Sequence, residues 1–247
     1  MICYTNDGSF EGLLTCIYES YYRKEKPEEI LKRNEFIPNL LNKEIYIETD
    51  IDKFSKVYNA IKQKISPVSL KYIFYVYLSE VRNSSDLIYN YIRLGFKLGK
   101  NIDLHIYDKR VLEVHRLVKK VTGEIHRMLG FVRFKNINNN FLYSAIEPEH
   151  NIVALITPHF ADRLCSENFI IHDLKREIAS MYNGQEWSIT TLSKNHGLKL
   201  LNEAKDEIYE CLWREYFRST TIESRLNLKL QKMHMPKRYW KFLTEIS

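Results

Sequence analysis

The sequence predicts an α+β fold, with a helical N-terminal region, a small antiparallel sheet over about residues 130–192 and a helical C-terminus. Three observations predict it. Glycine (8) and proline (6) are scarce in 247 residues, which disfavours a turn-dense all-β chain and favours long helices. Apolar residues recur at spacings of three and four up to about Leu129, and the period then shortens to two at Gly130. Helices, then strands, then helices is the order of an α+β protein and implies no βαβ crossover.

The elements follow in chain order. Residues 2–5 read as a short strand, Asn6-Asp7-Gly8 as a turn, and Ser9 as the N-cap of a helix whose stripe is Phe10, Leu13, Leu14, Ile17, Tyr18 and Tyr21. Pro27 opens a second short helix, residues 45–49 a strand, and Asp50 or Asp52 a helix ending before Pro67. Residues 69–80 are apolar on nearly every face, the mark of a buried helix. Ser84 and Ser85 can cap the next helix, and a longer amphipathic helix runs from about Asp108 to Leu129. Residues 130–137 alternate, Asn138–Asn140 turn, and residues 141–148 and 151–156 read as further strands of a meander. Residues 159–164 form a short helix, residues 169–174 a strand, and residues 177–192 a hairpin around Asn183-Gly184. Residues 197–220 and 221–233 close the chain as two helices, with an amphipathic tail beyond Pro236. The whole reads as a single large domain, 1–247, with sub-regions 1–128 and 129–247.

A hydrophobic fraction of 45% and 28% charged residues are those of a globular chain. No apolar run approaches the ~20 residues of a membrane span. Cys3, Cys16, Cys165 and Cys211 are scattered without metal-ligand spacing, and no signal peptide opens the chain, so the expected setting is the cytoplasm, with no metal and no cofactor. Net charge is +6, but unevenly spread. Residues 110–135 carry seven Lys and Arg against two acids, and residues 211–247 carry eight against three. Two basic patches on a near-neutral body suit a polyanion, unless nearby acids neutralise them.

The sequence holds no P-loop, no dinucleotide fingerprint, no zinc-protease helix and no nucleophile elbow. Four weaker groups remain. Gly8 and Ser9 aim backbone N–H groups from a helix N-terminus, which suits an anion, although a plain capped helix accounts for them too. Glu124, His126, Arg127 and Arg133 could move a proton or form surface ion pairs. His159, Asp162 and Arg163 are the most catalytic-looking cluster, followed by His172 and Asp173, which point to opposite faces of a strand. The C-terminal region interleaves bases with aromatics. Bases track phosphates and aromatics stack on nucleobases. The spacing of Trp213, Tyr216, Phe217 and Leu226 suggests core packing, and Tyr239 and Trp240 are expected to pack the tail on the body. The nucleic-acid-binding candidates are therefore Arg116, Lys119, Lys120, Arg127, Arg133, Arg225, Lys229, Lys232, Lys237, Arg238 and Lys241.

The stretches YTNDGSFEGLL, EIHRMLGFVRF, FLYSAIEPEHNIVALITPHFADRL, FIIHDLKRE and LWREYFRSTTIESRLNLKLQKMHMPKRYWKFLTE together resemble the bacterial "probable DNA metabolism protein" family, a domain of unknown function. The resemblance spans nearly the whole chain. It implies a DNA repair or modification context, with a radical SAM protein encoded alongside, and a similar domain fused elsewhere to uracil-DNA glycosylase superfamily proteins. The radical SAM cysteine triad is absent here, so this chain would be the partner of that enzyme. The expected role is a nucleic-acid-binding accessory protein. The alternatives are an enzyme, a hydrolase or nucleotide-processing catalyst using His159, Asp162 and Arg163, or a protein–protein adaptor without DNA contact.

Overall fold

In the computed structural model, residues 2–39, 41–137, 141–204 and 207–244 are described, and the chain forms two compact units, Met1–Val121 and Thr122–Ser247. The turn expected at Asn138–Asn140 and the tail residue Ile246 lie outside the described residues.

Unit 1 is built on a three-stranded parallel sheet. β1 (Ile2–Asn6) lies between β2 (Glu29–Lys32) and β3 (Lys43–Tyr46). α1 (Phe10–Tyr22) connects β1 to β2, so the unit opens on a βαβ crossover, against the expectation that the chain has none. The expected helix after Pro27 is strand β2: Ile30 and Leu31 are adjacent and both buried, as in a strand covered on both faces. α2 (Ile51–Ala60) starts at Asp50, whose carboxylate accepts from Lys53 N, and continues into a π-helical turn, Ile61–Ile65. α3 (Pro67–Leu78) is capped by Ser66 and leaves Val68 exposed, so it is buried on one side only. α4 (Ser84–Leu98) follows Asn83, whose left-handed φ of 63° turns the chain. α5 (Lys109–Phe131) contains the boundary between the units.

Unit 2 carries a five-stranded sheet in sequence order: β4 (Lys135–Ile137), β5 (Phe141–Ile146), β6 (Asn168–Asp173), β7 (Ile178–Asn183) and β8 (Trp187–Thr191). The β4–β5, β6–β7 and β7–β8 pairs are antiparallel, as expected, and Gly184 turns the last hairpin at φ 86°. The β5–β6 pair is parallel, because the segment expected as a strand at 151–156 is the start of α6 (Val153–Arg163). Ile152, Val153, Ile156, Thr157 and Phe160 are all buried, a helical period that runs straight through the supposed strand boundary. One sheet face holds Phe169 against Phe134, and Phe134 against Phe160 of α6. The other holds Tyr143 and Ala145 with Leu200 and Leu201 of α7 (Lys194–Glu203). α8 (Glu207–Thr220) and α9 (Leu228–His234) follow, and Lys237–Phe242 is a 3-10 turn rather than the expected amphipathic α-helix. Its Tyr239 and the following Leu243 are buried, as the apolar stripe required.

Candidate nucleic-acid interface

The anion site expected at Gly8 and Ser9 is filled by the protein itself. Gly8 N donates to Asn6 Oδ1, and Ser9 N and Oγ both donate to Asp7 Oδ1. Thr49 Oγ1 donates to the other oxygen of Asp7. Burial raises the Asp7 carboxyl, but these hydrogen bonds outweigh it and leave its pKa below the usual range. A carboxylate held this way supplies the negative charge that an external anion would have brought to the helix N-terminus.

His159, Asp162 and Arg163 are all exposed on α6. No hydrogen bond joins any two of them among the described residues; the His159 ring sits edge-on to Phe160, 5.2 Å between centroids. His172 and Asp173 are buried and, as expected, separate. Tyr143 Oη and His172 Nδ1 are 2.7 Å apart, and His172 Nε2 lies 2.8 Å from Leu192 O. Asp173 accepts from Lys175 N, Arg176 N and the Arg176 guanidinium. Both are framework groups. Burial pushes Cys3 up to about 11 and Cys16 to about 12, so neither is a thiolate near neutral pH.

Glu124, expected at the surface, is fully buried. Its carboxylate accepts from Glu149 N at 2.8 Å, from His150 N at 2.9 Å and from the Tyr239 hydroxyl. Nothing local in the sequence announces this, because the partners lie 25 to 115 residues away.

The basic candidates fall into three groups of three and two single residues. In unit 1, Arg116 pairs with Glu113 at 3.6 Å, and Lys119 and Lys120 are exposed on α5. In the tail of unit 2, Arg238 pairs with Glu149 at 2.6 Å and Lys241 with Glu147 at 2.5 Å, so acids of the loop after β5 neutralise two bases expected to stand free. Lys237 lies 5.9 Å from the Trp240 ring. Arg225, Lys229 and Lys232 are exposed, with no ion pair among the described residues. Arg127 is half-buried and its Nε is enclosed without a hydrogen-bond partner.

Around the remaining base, Arg133, the structure forms a cleft. It measures about 410 Å³, and its walls include Phe134, Phe160, Leu129 and Trp213, with Arg133 and Arg163 as the charged groups of its lining. Arg133 is held by Gly130 O at 2.6 Å and lies 5.7 Å from the Trp213 ring centroid. α8 is tied alongside by Lys135–Glu210 at 2.6 Å and by Arg214 Nε donating to Thr244 O. Trp213, Tyr216, Phe217 and Leu226, expected in the core, are 41%, 58%, 37% and 63% exposed. Trp213, Tyr216 and Phe217 do share a helical stripe on α8, but it is turned outward, and Leu226 lies in the segment between α8 and α9 rather than on that stripe. The cleft thus joins an Arg from the expected catalytic cluster to an Arg and a Trp from the two basic regions. Aromatic walls with guanidinium groups, and no carboxylate lining them among the described residues, suit a flat, negatively charged ligand.

Among the described residues, no group of His, Cys, Asp and Glu could hold a metal ion, and no helix is long and apolar enough to cross a membrane. A family model described as a domain of unknown function, DUF4130, matches residues 82–245. No curated protein and no solved structure matches the chain.

Proposed function

This chain belongs to the DUF4130 family, a domain of unknown function, and we propose that it is an accessory protein of DNA metabolism that binds nucleic acid and works beside a radical SAM DNA-modification or repair enzyme. The observation that carries the binding part is the cleft of unit 2. Arg133 and Arg163 offer planar cations to phosphate or to a base edge, and Trp213, Phe134 and Phe160 offer faces on which an unpaired base can stack. Arg225, Lys229 and Lys232 add exposed positive charge on and near α9. The enzyme partner is supported by the sequence resemblance, and by the apolar side chains that α8 and α9 expose, among them Leu212, Tyr216, Leu230 and Met233.

The test has two arms. Fluorescence anisotropy with labelled single- and double-stranded oligonucleotides should give binding that weakens linearly in log–log with salt, by about 0.9 per duplex phosphate neutralised. Co-purification of the chain with the radical SAM enzyme, with and without DNA, reads the partner. Absence of detectable DNA binding at ~100 mM salt, where the Debye length is about 10 Å, with the enzyme still retained, would leave a protein–protein adaptor as the function.

A further inference from the structure

Unit 1 contains a second cleft with the same type of wall, in a stretch of chain that carries none of the candidate residues above. It measures about 360 Å³ and lies among Tyr18, Tyr21, Tyr22, Lys56, Lys64 and Phe96, with no carboxylate in its lining among the described residues. Tyr18 and Tyr22, one turn apart on α1, have near-parallel rings 4.4 Å apart, and Tyr21 meets Phe96 edge-on at 6.1 Å. Tyr21 and Tyr22 are 46% and 72% exposed. Tyr18 is half-buried and also packs against the core, but Tyr21 and Tyr22 stand open to water, which core packing does not explain. Lys56 Nζ sits 5.6 Å from the Tyr18 ring, and neither Lys56 nor Lys64 has an ion pair among the described residues.

The backbone is shaped to make this cleft. Lys64 lies on the π-helical turn that ends α2, a feature that recurs at functional sites. The turn's Ile65 packs onto Gly95, where a Cβ would meet Ile65 Cδ1 at 2.5 Å. That close approach holds α4 against the wide turn, with Phe96, the residue after Gly95, at the cleft wall.

We propose that this cleft binds a nucleotide unit of single-stranded nucleic acid, its base stacked on the Tyr18–Tyr22 pair and its phosphates held by Lys56 and Lys64. Stacked phenol rings take any base by its π-face, and two compact ammonium groups with no ion pair among the described residues take the phosphates. The site is separate from the unit 2 cleft and shares with it only the class of ligand.

Photo-cross-linking of the full chain to an oligonucleotide bearing 5-iodouracil, with the attached peptides mapped by mass spectrometry, tests it. Cross-links on Tyr18, Tyr21, Tyr22 or Phe96 are expected. Tyr22→Leu, which keeps an apolar side chain at an exposed position, should reduce them by at least about fivefold, the lower end of a lost base stack. Lys56→Gln with Lys64→Gln should reduce them as well, and an abasic oligomer of equal length should compete poorly. Cross-links confined to unit 2 overturn this site and leave the proposed function standing, whereas cross-links in unit 1 alone leave this site standing and remove the unit 2 cleft as the place where nucleic acid binds. No cross-link in either unit overturns both. If thymidine 5′-monophosphate displaces the unit 1 cross-links as well as the oligomer does, the ligand is a free nucleotide and the single-strand assignment falls.

Discussion

Tyr239 donates its hydroxyl to the carboxylate of Glu124, and the two residues are 115 positions apart in the chain. Both are buried, and the same carboxylate fixes the backbone at Glu149 and His150. One acid therefore ties α5, the loop after β5 and the tail. Hydrogen bonds to a charged group contribute about 1.5–3 kcal/mol each, so Tyr239→Phe should cost about that much in urea unfolding. Glu124→Ala, which orphans two backbone donors as well, should cost about 3–5 kcal/mol. In the double variant the losses should fall well short of additive; full additivity would mean that the two side chains are not coupled.

The tail bases separate by their partners. Lys237→Glu should leave stability within about ±0.5 kcal/mol, as at an ordinary surface site. Arg238→Glu replaces the partner of Glu149 with a like charge and brings it toward Glu124, 4.0 Å from the present guanidinium. Because Arg238 is 41% exposed, screening limits the cost to about 1 kcal/mol. Equal melting temperatures for the two variants, measured at low salt, would deny the ion pair any role.

Stability should decline on mild acidification through His172. Burial lowers its pKa, and the Leu192 carbonyl and the charges of Asp173 and Glu177 oppose that shift without cancelling it. The folded state thus holds the neutral ring, and protons bind the unfolded chain more readily. This contribution is complete above the unfolded value of about 6.5 and is lost as pH falls from there toward the folded value. Urea midpoints at pH 7.5 and 5.5 should differ less in His172→Gln than in the parent, whatever the variant's absolute stability.

Gly197 should resist the substitution that helices normally welcome. Alanine gains about 0.5–1 kcal/mol over glycine in a helix interior. At this position of α7 a Cβ would meet His172 Nδ1 at 2.5 Å and the Tyr143 hydroxyl at 2.6 Å, two ring groups already bonded to each other. Overpacking costs about 1–3 kcal/mol, so Gly197→Ala should be destabilising on balance, and a raised melting temperature would refute the close approach.

In unit 2, Arg163→Gln and Arg133→Gln should each weaken DNA binding and lower the salt slope by about 0.9 for every phosphate left without its cation. Trp213→Ala should weaken single-strand binding by ~1–3 kcal/mol and leave the slope unchanged, because stacking releases no counterions. Arg163→Gln should not unfold the protein, since Arg163 is exposed and has no ion pair among the described residues. A Trp213 variant that alters only the salt slope would remove the stacking role.

What could be read from the sequence was what is local. Ser9 as a cap, the helix beyond Asp50, the hairpin at Asn183-Gly184 and the burial of Tyr239 all follow from signals within a few residues. Ile152, Val153 and Ile156 misled, because a short apolar run has no distinguishable period until Phe160 is added to it. Ile30-Leu31 misled similarly, since a strand covered on both faces does not alternate. Of the candidate site, Arg133, Arg163 and Trp213 were each visible as residue types, but the cleft that gathers them depends on tertiary packing. The direction in which the Trp213 stripe faces depends on it too, and so do the acids that engage Arg238 and Lys241.

The tie between Glu124 and Tyr239 also sets an order of events in time. Closing so long a loop must be compensated by contacts that form only when both ends are already placed. The sheet, whose neighbours follow one another along the chain, can assemble first by short closures. On that order the tail locks after the barrier, so Tyr239→Phe is expected to speed unfolding and leave the folding rate nearly unchanged, as stopped-flow kinetics would read. Until residue 239 docks, Glu124 is a carboxylate still waiting for one of its donors. A bond that forms after the barrier acts almost wholly as a brake on unfolding: it sets how long the native state lasts, and leaves the speed of reaching it nearly untouched.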